Sequence, residues 1–151
     1  MDLTKYKVEP LASEHVQEVT SLWRTSMREA VGIQPVHSFE SQAYFLEHIL
    51  PSDFQVVVVI CKHKLNPVAF MASSKTGVSQ LYVSPDFQGQ GIGSYLLKLA
   101  QKQSNGSLTL RTFEVNKQAQ NFYKSHGFVL YAGNSDNEEG LLDLECKWEG
   151  R

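Results

Sequence analysis

Leu81-Tyr82-Val83-Ser84-Pro85-Asp86-Phe87-Gln88-Gly89-Gln90-Gly91-Ile92-Gly93-Ser94 sets three alternate glycines between a short apolar strand and the first turn of a helix. The first amides of a helix lack intrahelical partners and carry the positive end of its dipole, and glycines let a phosphate approach the backbone with no Cβ in the way. The stretch therefore predicts an anion site. It is not the nucleoside triphosphate loop, because no Lys-Ser or Lys-Thr follows the last glycine, and it is offset from the dinucleotide GxGxxG, since position 96 is Leu96. Three such glycines also suit a tight turn and close helix packing.

Outward from this turn, the chain alternates element types without a repeat or a Pro/Gly/Ser-rich linker. Upstream, Val78 to Val83 reads as a strand, and Phe54 to Cys61 with Val68 to Ser73 reads as a hairpin whose β-branched run lacks alternation and so predicts cover on both faces. Before it, Tyr6 to Leu11 is a strand, and Ser13 is the expected cap of a helix carrying Val16, Val19, Leu22, Trp23 and Met27 up to Gly32. Ser38 caps a second helix, expected to bury Ala43, Phe45, Leu46, Ile49 and Leu50 and to end before Pro51. Downstream come a helix from Ile92 to about Gln103, a strand over Leu108 to Phe113, a helix over Lys117 to Ser125, and strands over Phe128 to Tyr131 and Leu141 to Trp148. The expected order is β-α-α-β-β-β-α-β-α-β-β.

The 151 residues predict one domain over 1–151, long enough to bury roughly 70% of the surface its unfolded chain exposes. Sixteen acidic against fourteen basic side chains leave a formal charge of −2, which gives no global field for nucleic acid or anionic membrane. Cys61 and Cys146 lie far apart, with no CxxC spacing and no nearby histidine pair, so neither a metal site nor a disulfide framework is indicated. The N-terminus has no apolar signal region, and the longest apolar run, Phe54 to Cys61, is far short of a bilayer span. The expectation is a reduced, cytoplasmic protein, neither exported nor membrane-bound.

The strand Leu81 to Val83, Pro85 and Gln88-Gly89-Gln90-Gly91-Ile92-Gly93 together resemble the Q/R-x-x-G-x-G/A acyl-CoA motif of the GNAT superfamily of N-acetyltransferases. Asn116, Phe122-Tyr123 and Gly127-Phe128 resemble the N-x-x-A-x-x-x-Y-x-x-x-G-F segment that follows the fifth strand there, and Leu22-Trp23-Arg24 with Ser26 further resembles small bacterial members of the YjaB type. The resemblance implies an α/β (α+β) fold, with a mixed, mainly antiparallel sheet of six to seven strands that splays between strands four and five and is flanked by about four helices. It places acetyl-CoA in the splay. Amides from Gly89 to Ser94, including those of Gln90, Ile92 and Gly93, would hold the pyrophosphate; backbone groups of Leu81, Tyr82 and Val83 would meet the pantetheine amides and polarise the thioester carbonyl; Asn116 would touch the pantetheine arm, and Tyr123 would face the sulfur.

Acyl transfer to an amine needs a neutral nucleophile, a donor where charge develops on the carbonyl oxygen, and a proton for the leaving thiolate. A phenol, with a reference pKa near 10, suits the third task, which makes Tyr123 the expected catalytic acid. The base is missing. The family often places a carboxylate early in strand four or five residues before the Asn, and those positions hold Ser79 and Arg111. Glu114 and His37 are the alternatives, beside a water chain to solvent. For the acceptor, a small-molecule or peptide primary amine attacked directly in a ternary complex, the candidates are Trp23, Arg24, Met27, His37, Phe39 and Tyr44, because the first helices commonly shape that site in the superfamily. The sequence sets neither the acceptor nor a choice between monomer and homodimer. The absent carboxylate also keeps open a noncatalytic acyl-CoA-binding or regulatory module.

Overall fold

The computed structural model describes residues 1–150. Strand β1 (Tyr6–Pro10) leads through a 3₁₀ turn (Ser13–His15) into α1 (Val16–Val31), and a second helical run comprises α2 (Phe39–Tyr44), a π segment (Phe45–Ile49) and α3 (Leu50–Asp53). Then follow β2 (Gln55–Cys61), β3 (Asn66–Ser73), β4 (Val78–Val83), a 3₁₀ turn (Pro85–Phe87), α4 (Ile92–Gln103), β5 (Ser107–Phe113), α5 (Lys117–Ser125), β6 (Val129–Ala132) and β7 (Asp143–Glu149). The strands form two antiparallel sheets, ordered β1-β2-β3-β4 and β5-β7-β6. Between them the ladder reduces to one parallel bridge, from Gly77 just before β4 to Thr109 on β5, with the Thr109 N–H on the Thr76 carbonyl at 3.0 Å. A Cβ on Gly77 would stand 3.1 Å from the Thr109 carbonyl oxygen, so the close approach at the root of the splay needs glycine there.

The hairpin reading of β2 and β3 holds, and its cover on both faces has a direct cause. Val57 and Val59 enter a core shared with α4, α5 and the second sheet, while Val56, Val58 and Ile60 enter another formed with α1 and the second helical run. Alternate residues of one strand thus feed two cores, which is why the run shows no polar alternation. No helix among the described residues is long and apolar enough to cross a membrane.

Three local expectations are corrected. Ser13 does not cap α1; it opens the 3₁₀ turn, and His15, the residue before α1, makes no side-chain bond to the helix, its Nδ1 instead accepting the Ala12 N–H at 3.0 Å across the turn. The buried stripe of α1 contains Ser26, while Met27 is only half-buried. The second helical run continues past Pro51 to Asp53, and the π segment alters its phase, so Ala43, Leu46 and Leu50 are buried while Phe45 and Ile49 are 39% and 44% exposed. A π turn takes in one more residue than an α turn, which rotates the side chains that follow. Pro51 starts the next α turn, where its missing N–H has no intrahelical role.

Candidate active site

The divergence of β4 from β5 opens a cavity of about 420 Å³. Leu81, Tyr82 and Val83 line one wall, Leu110 to Phe113 the other, and Gln88, Gly89, Gly91, Ile92, Gly93 and Ser94 close one end. The Ser84 N–H bonds the Val68 carbonyl on β3, so by strand alternation the backbone groups of Val83 and Leu81 turn toward the splay. The Val83 carbonyl already accepts Gln88 Nε2 at 3.0 Å and Ser26 Oγ at 3.3 Å. It is therefore engaged with the loop and α1, which leaves the Val83 N–H and the backbone groups of Leu81 to meet a ligand.

Gly91, at φ +82, is the residue before α4, and no side chain caps the helix. The free amides of Ile92, Gly93 and Ser94 are thus directed at the cavity end. Gly89 also has a positive φ, +78, and nothing lies within 4 Å of where its Cβ would be, so the loop is bare on that side. Gly93 has a different reason: a Cβ there would come within 3.3 Å of the Phe122 ring, and glycine lets α4 and α5 meet. Bare positive-φ backbone, uncapped helix amides and a half-apolar slot are the donor set a pyrophosphate on a long amide-bearing arm requires, and the residues fit coenzyme A.

The Gln90 side chain lines neither cavity; its Oε1 accepts the Tyr6 hydroxyl and ties β1 to the loop, so only its backbone can serve the phosphate site. Asn116 lines the cavity but spends its Oδ1 on the Ala119 N–H at 3.1 Å, capping α5, so only its amide nitrogen is free to donate. Tyr123 also lines the cavity, is 8% exposed, and its hydroxyl has no hydrogen-bond partner among the described residues. Burial, with Tyr82 and Cys146 adding to it, pushes its pKa well above that of a free phenol, so the proton is retained at neutral pH.

A second cavity, of about 730 Å³, is lined by Trp23, Arg24, Met27, His37 and Tyr44, so five of the six acceptor candidates meet in one place. Phe39 is absent from it and packs under the Arg24 guanidinium, 5.9 Å from ring centroid to Cζ. Arg24 Nη1 donates to the His37 carbonyl at 2.6 Å and to Gln42 Oε1 at 2.9 Å, which fixes the connector between α1 and α2. The two cavities share Ser79, Gln80, Tyr82, Arg111 and Phe113, and thus adjoin at the edges of β4 and β5.

Of the base candidates, Glu114 lines neither cavity and pairs with Lys117 at 2.9 Å. Arg111 is held by Asp143 at 2.9 Å and Glu145 at 3.2 Å, and His37 Nε2 lies 2.7 Å from Glu138. The sequence reading missed Ser26 and Phe122 on the first cavity and Asn137, Glu138 and Glu139 on the second. Nothing local marks the last three, which sit in a polar loop between β6 and β7 brought to α1 only by the closed fold. Phe122 had a signal in Gly93, the third glycine being a packing position.

Residues 53–130 match the family model for the acetyltransferase (GNAT) domain. The chain is 34% identical over 130 residues to the peptidyl-lysine N-acetyltransferase YjaB of Salmonella typhimurium, covering 83% of this chain and 84% of that protein. In fold it is similar to the solution structure of apo YjaB from Escherichia coli (TM-score 0.76, 23% identity, 97% of this chain and 99% of that one). It is likewise similar to the PaiA N-acetyltransferase of Thermoplasma acidophilum in complex with coenzyme A (TM-score 0.72, 18% identity, 95% and 98% covered). With the splayed sheets, the glycine loop and these matches in one chain, the protein belongs to the GNAT acetyltransferase family, whose members transfer the acetyl group of acetyl-CoA to an amine.

Proposed function

We propose that the protein acetylates the side-chain amine of peptide lysine, with acetyl-CoA and acceptor bound together and the amine attacking directly. The observation that carries this is that the two cavities share Tyr82, Gln80 and Phe113 on their walls, so a slot suited to the donor lies against a space suited to an alkyl amine. A direct attack needs that geometry, because reacting atoms must approach to near contact. The relatives' peptidyl-lysine activity and the exposed apolar side chains of Tyr44, Phe45 and Ile49 on the second cavity support lysine, with its four-carbon stem, as acceptor.

Acetyl-CoA supplies a carbonyl carbon open to amine attack and a thiol as leaving group. The chain's own work is placement and proton supply. The amides of Gly89 to Ser94 hold the phosphates, backbone donors on the splay side of β4 meet the carbonyl oxygen as it gains charge, and the Tyr123 hydroxyl delivers a proton to the sulfur. With Ser79, Arg111 and Glu114 unable to take the amine's proton, that proton leaves to water through the open second cavity, and the Tyr123 phenolate regains a proton from water to close the cycle. Initial rates over a grid of acetyl-CoA and lysine-peptide concentrations test the order of events. Intersecting reciprocal plots and N-acetylated peptide are expected; parallel plots, the mark of a covalent acetyl-enzyme, overturn direct attack.

A further inference from the structure

Apart from Arg28, the basic side chains that line the second cavity are already committed. Arg24 is bound to the His37 carbonyl and Gln42, Arg111 to Asp143 and Glu145, and His37 to Glu138. Arg28 lies exposed on the α1 wall. Of the two carboxylates on the lining, Glu138 is the partner of His37 and its side chain is 64% exposed. Glu139 is half-buried and has neither an ion pair nor a side-chain hydrogen bond among the described residues.

Its position is fixed nonetheless. Asn137 Nδ2 donates to the Leu141 carbonyl at 2.7 Å, the Leu141 N–H returns to Asn137 Oδ1 at 3.3 Å, and the Gly140 N–H bonds the Asn137 carbonyl at 3.0 Å. These bonds close a turn around residue 139, and Gly140 takes the left-handed conformation, φ +66, that the turn demands. The loop's far end is anchored by the Asn134 N–H on Asp143 Oδ1 at 3.0 Å. Glu139 lies near enough to Tyr82 for its charge to help hold the phenol's proton, and Tyr82 lines both cavities. A carboxylate without a counter-ion therefore stands on a braced turn beside the place where donor and acceptor spaces adjoin.

We infer that Glu139 receives the acceptor's ammonium and so makes the site selective for cationic alkyl amines, an assignment that rests on the lysine reading above. A half-buried carboxylate gains more from a cation than an exposed one, because the surrounding dielectric is lower. Tyr44, Phe45 and Ile49 on the same cavity would cover the alkyl stem behind the charge.

Glu139→Gln keeps the side chain's size and leaves the Asn137 turn untouched. With a lysine peptide, it is expected to raise the acceptor KM about tenfold, the scale of a lost charge-assisted hydrogen bond, with a far smaller change in kcat and none in the acetyl-CoA KM. The acceptor KM of the unaltered enzyme should climb with added salt, that of Glu139→Gln should not, and the penalty should shrink for hydroxylamine, which is uncharged at neutral pH. An unaltered enzyme that acetylates the peptide beside a Glu139→Gln variant of equal KM and equal salt dependence overturns the assignment alone. An unaltered enzyme that consumes acetyl-CoA with other amines but with no lysine peptide overturns the acceptor reading, and the assignment with it.

Discussion

Removing the Tyr123 hydroxyl while keeping its ring, as in Tyr123→Phe, takes away a proton donor and leaves the contacts with Phe122 and Phe128 in place. Turnover is expected to fall by about 100- to 10,000-fold, while the rise in Tm caused by CoA stays as in the unaltered protein. Equal turnover would give Tyr123 a packing role only. At this scale the sequence was informative where a residue's chemistry is decided by its own neighbours: Tyr123 and the glycine loop both line the cavity they were expected to serve. It did not show what the Gln90 side chain does, because its partner Tyr6 is 84 positions away. It was incomplete for Asn116, since a side chain can cap a helix and line a cavity at once.

Among the elements, the loop entering α4 and the connector between α1 and α2 carry opposite halves of the function. Gly91→Glu places a side chain on a left-handed residue, 3.1 Å from the Met1 backbone nitrogen, and a negative charge where phosphate should sit. We expect the CoA-induced rise in Tm to vanish, along with a loss of about 1–2 kcal/mol in intrinsic stability from the backbone strain alone. Thermal unfolding with and without CoA measures both. Arg24→Met cuts the two hydrogen bonds to the connector while keeping the stem's packing, so the acceptor KM should rise several-fold with the acetyl-CoA KM unchanged. Helix and strand types were legible because periodicity and glycine punctuation are local. The π segment was not, since its extra residue is set by how Leu46 and Leu50 seat in the core, and that seating turns Phe45 and Ile49 outward.

For the whole molecule, three buried groups set the alkaline limit. Burial pushes the Tyr82 phenol up to about 12 and the Cys146 thiol up to about 11, with Glu139 and Glu145 adding respectively, and raises Tyr123 further. Each therefore keeps its proton in the folded state after the unfolded chain, with reference values near 9 and 10, has begun to lose it. Their contribution is complete below those values and declines as pH rises through the folded ones. Urea midpoints should fall from about pH 9 upward, and less steeply in Tyr82→Phe. The kcat/KM for the acceptor should follow another rule: with no side chain serving as base, it rises toward the free acceptor's own pKa, near 10.4 for lysine and about 8 for a peptide α-amine. His37→Gln should leave both profiles unshifted. An inflection common to the two acceptors and lost in that variant would name His37 as the base.

The first sheet borrows no strand from the second, its four strands pair in chain order, and all of them precede residue 84. During synthesis, β1 to β4 and the two helical stretches above them can therefore close one core while the glycine loop is still leaving the ribosome. The other face must wait for α4, β5 and the hairpin-like pair of β6 and β7. A nascent chain halted once β4 has cleared the ribosome would resist proteolysis over β1 to β4 yet present a bare apolar face, which makes the later part of translation the interval in which a chaperone has something to hold.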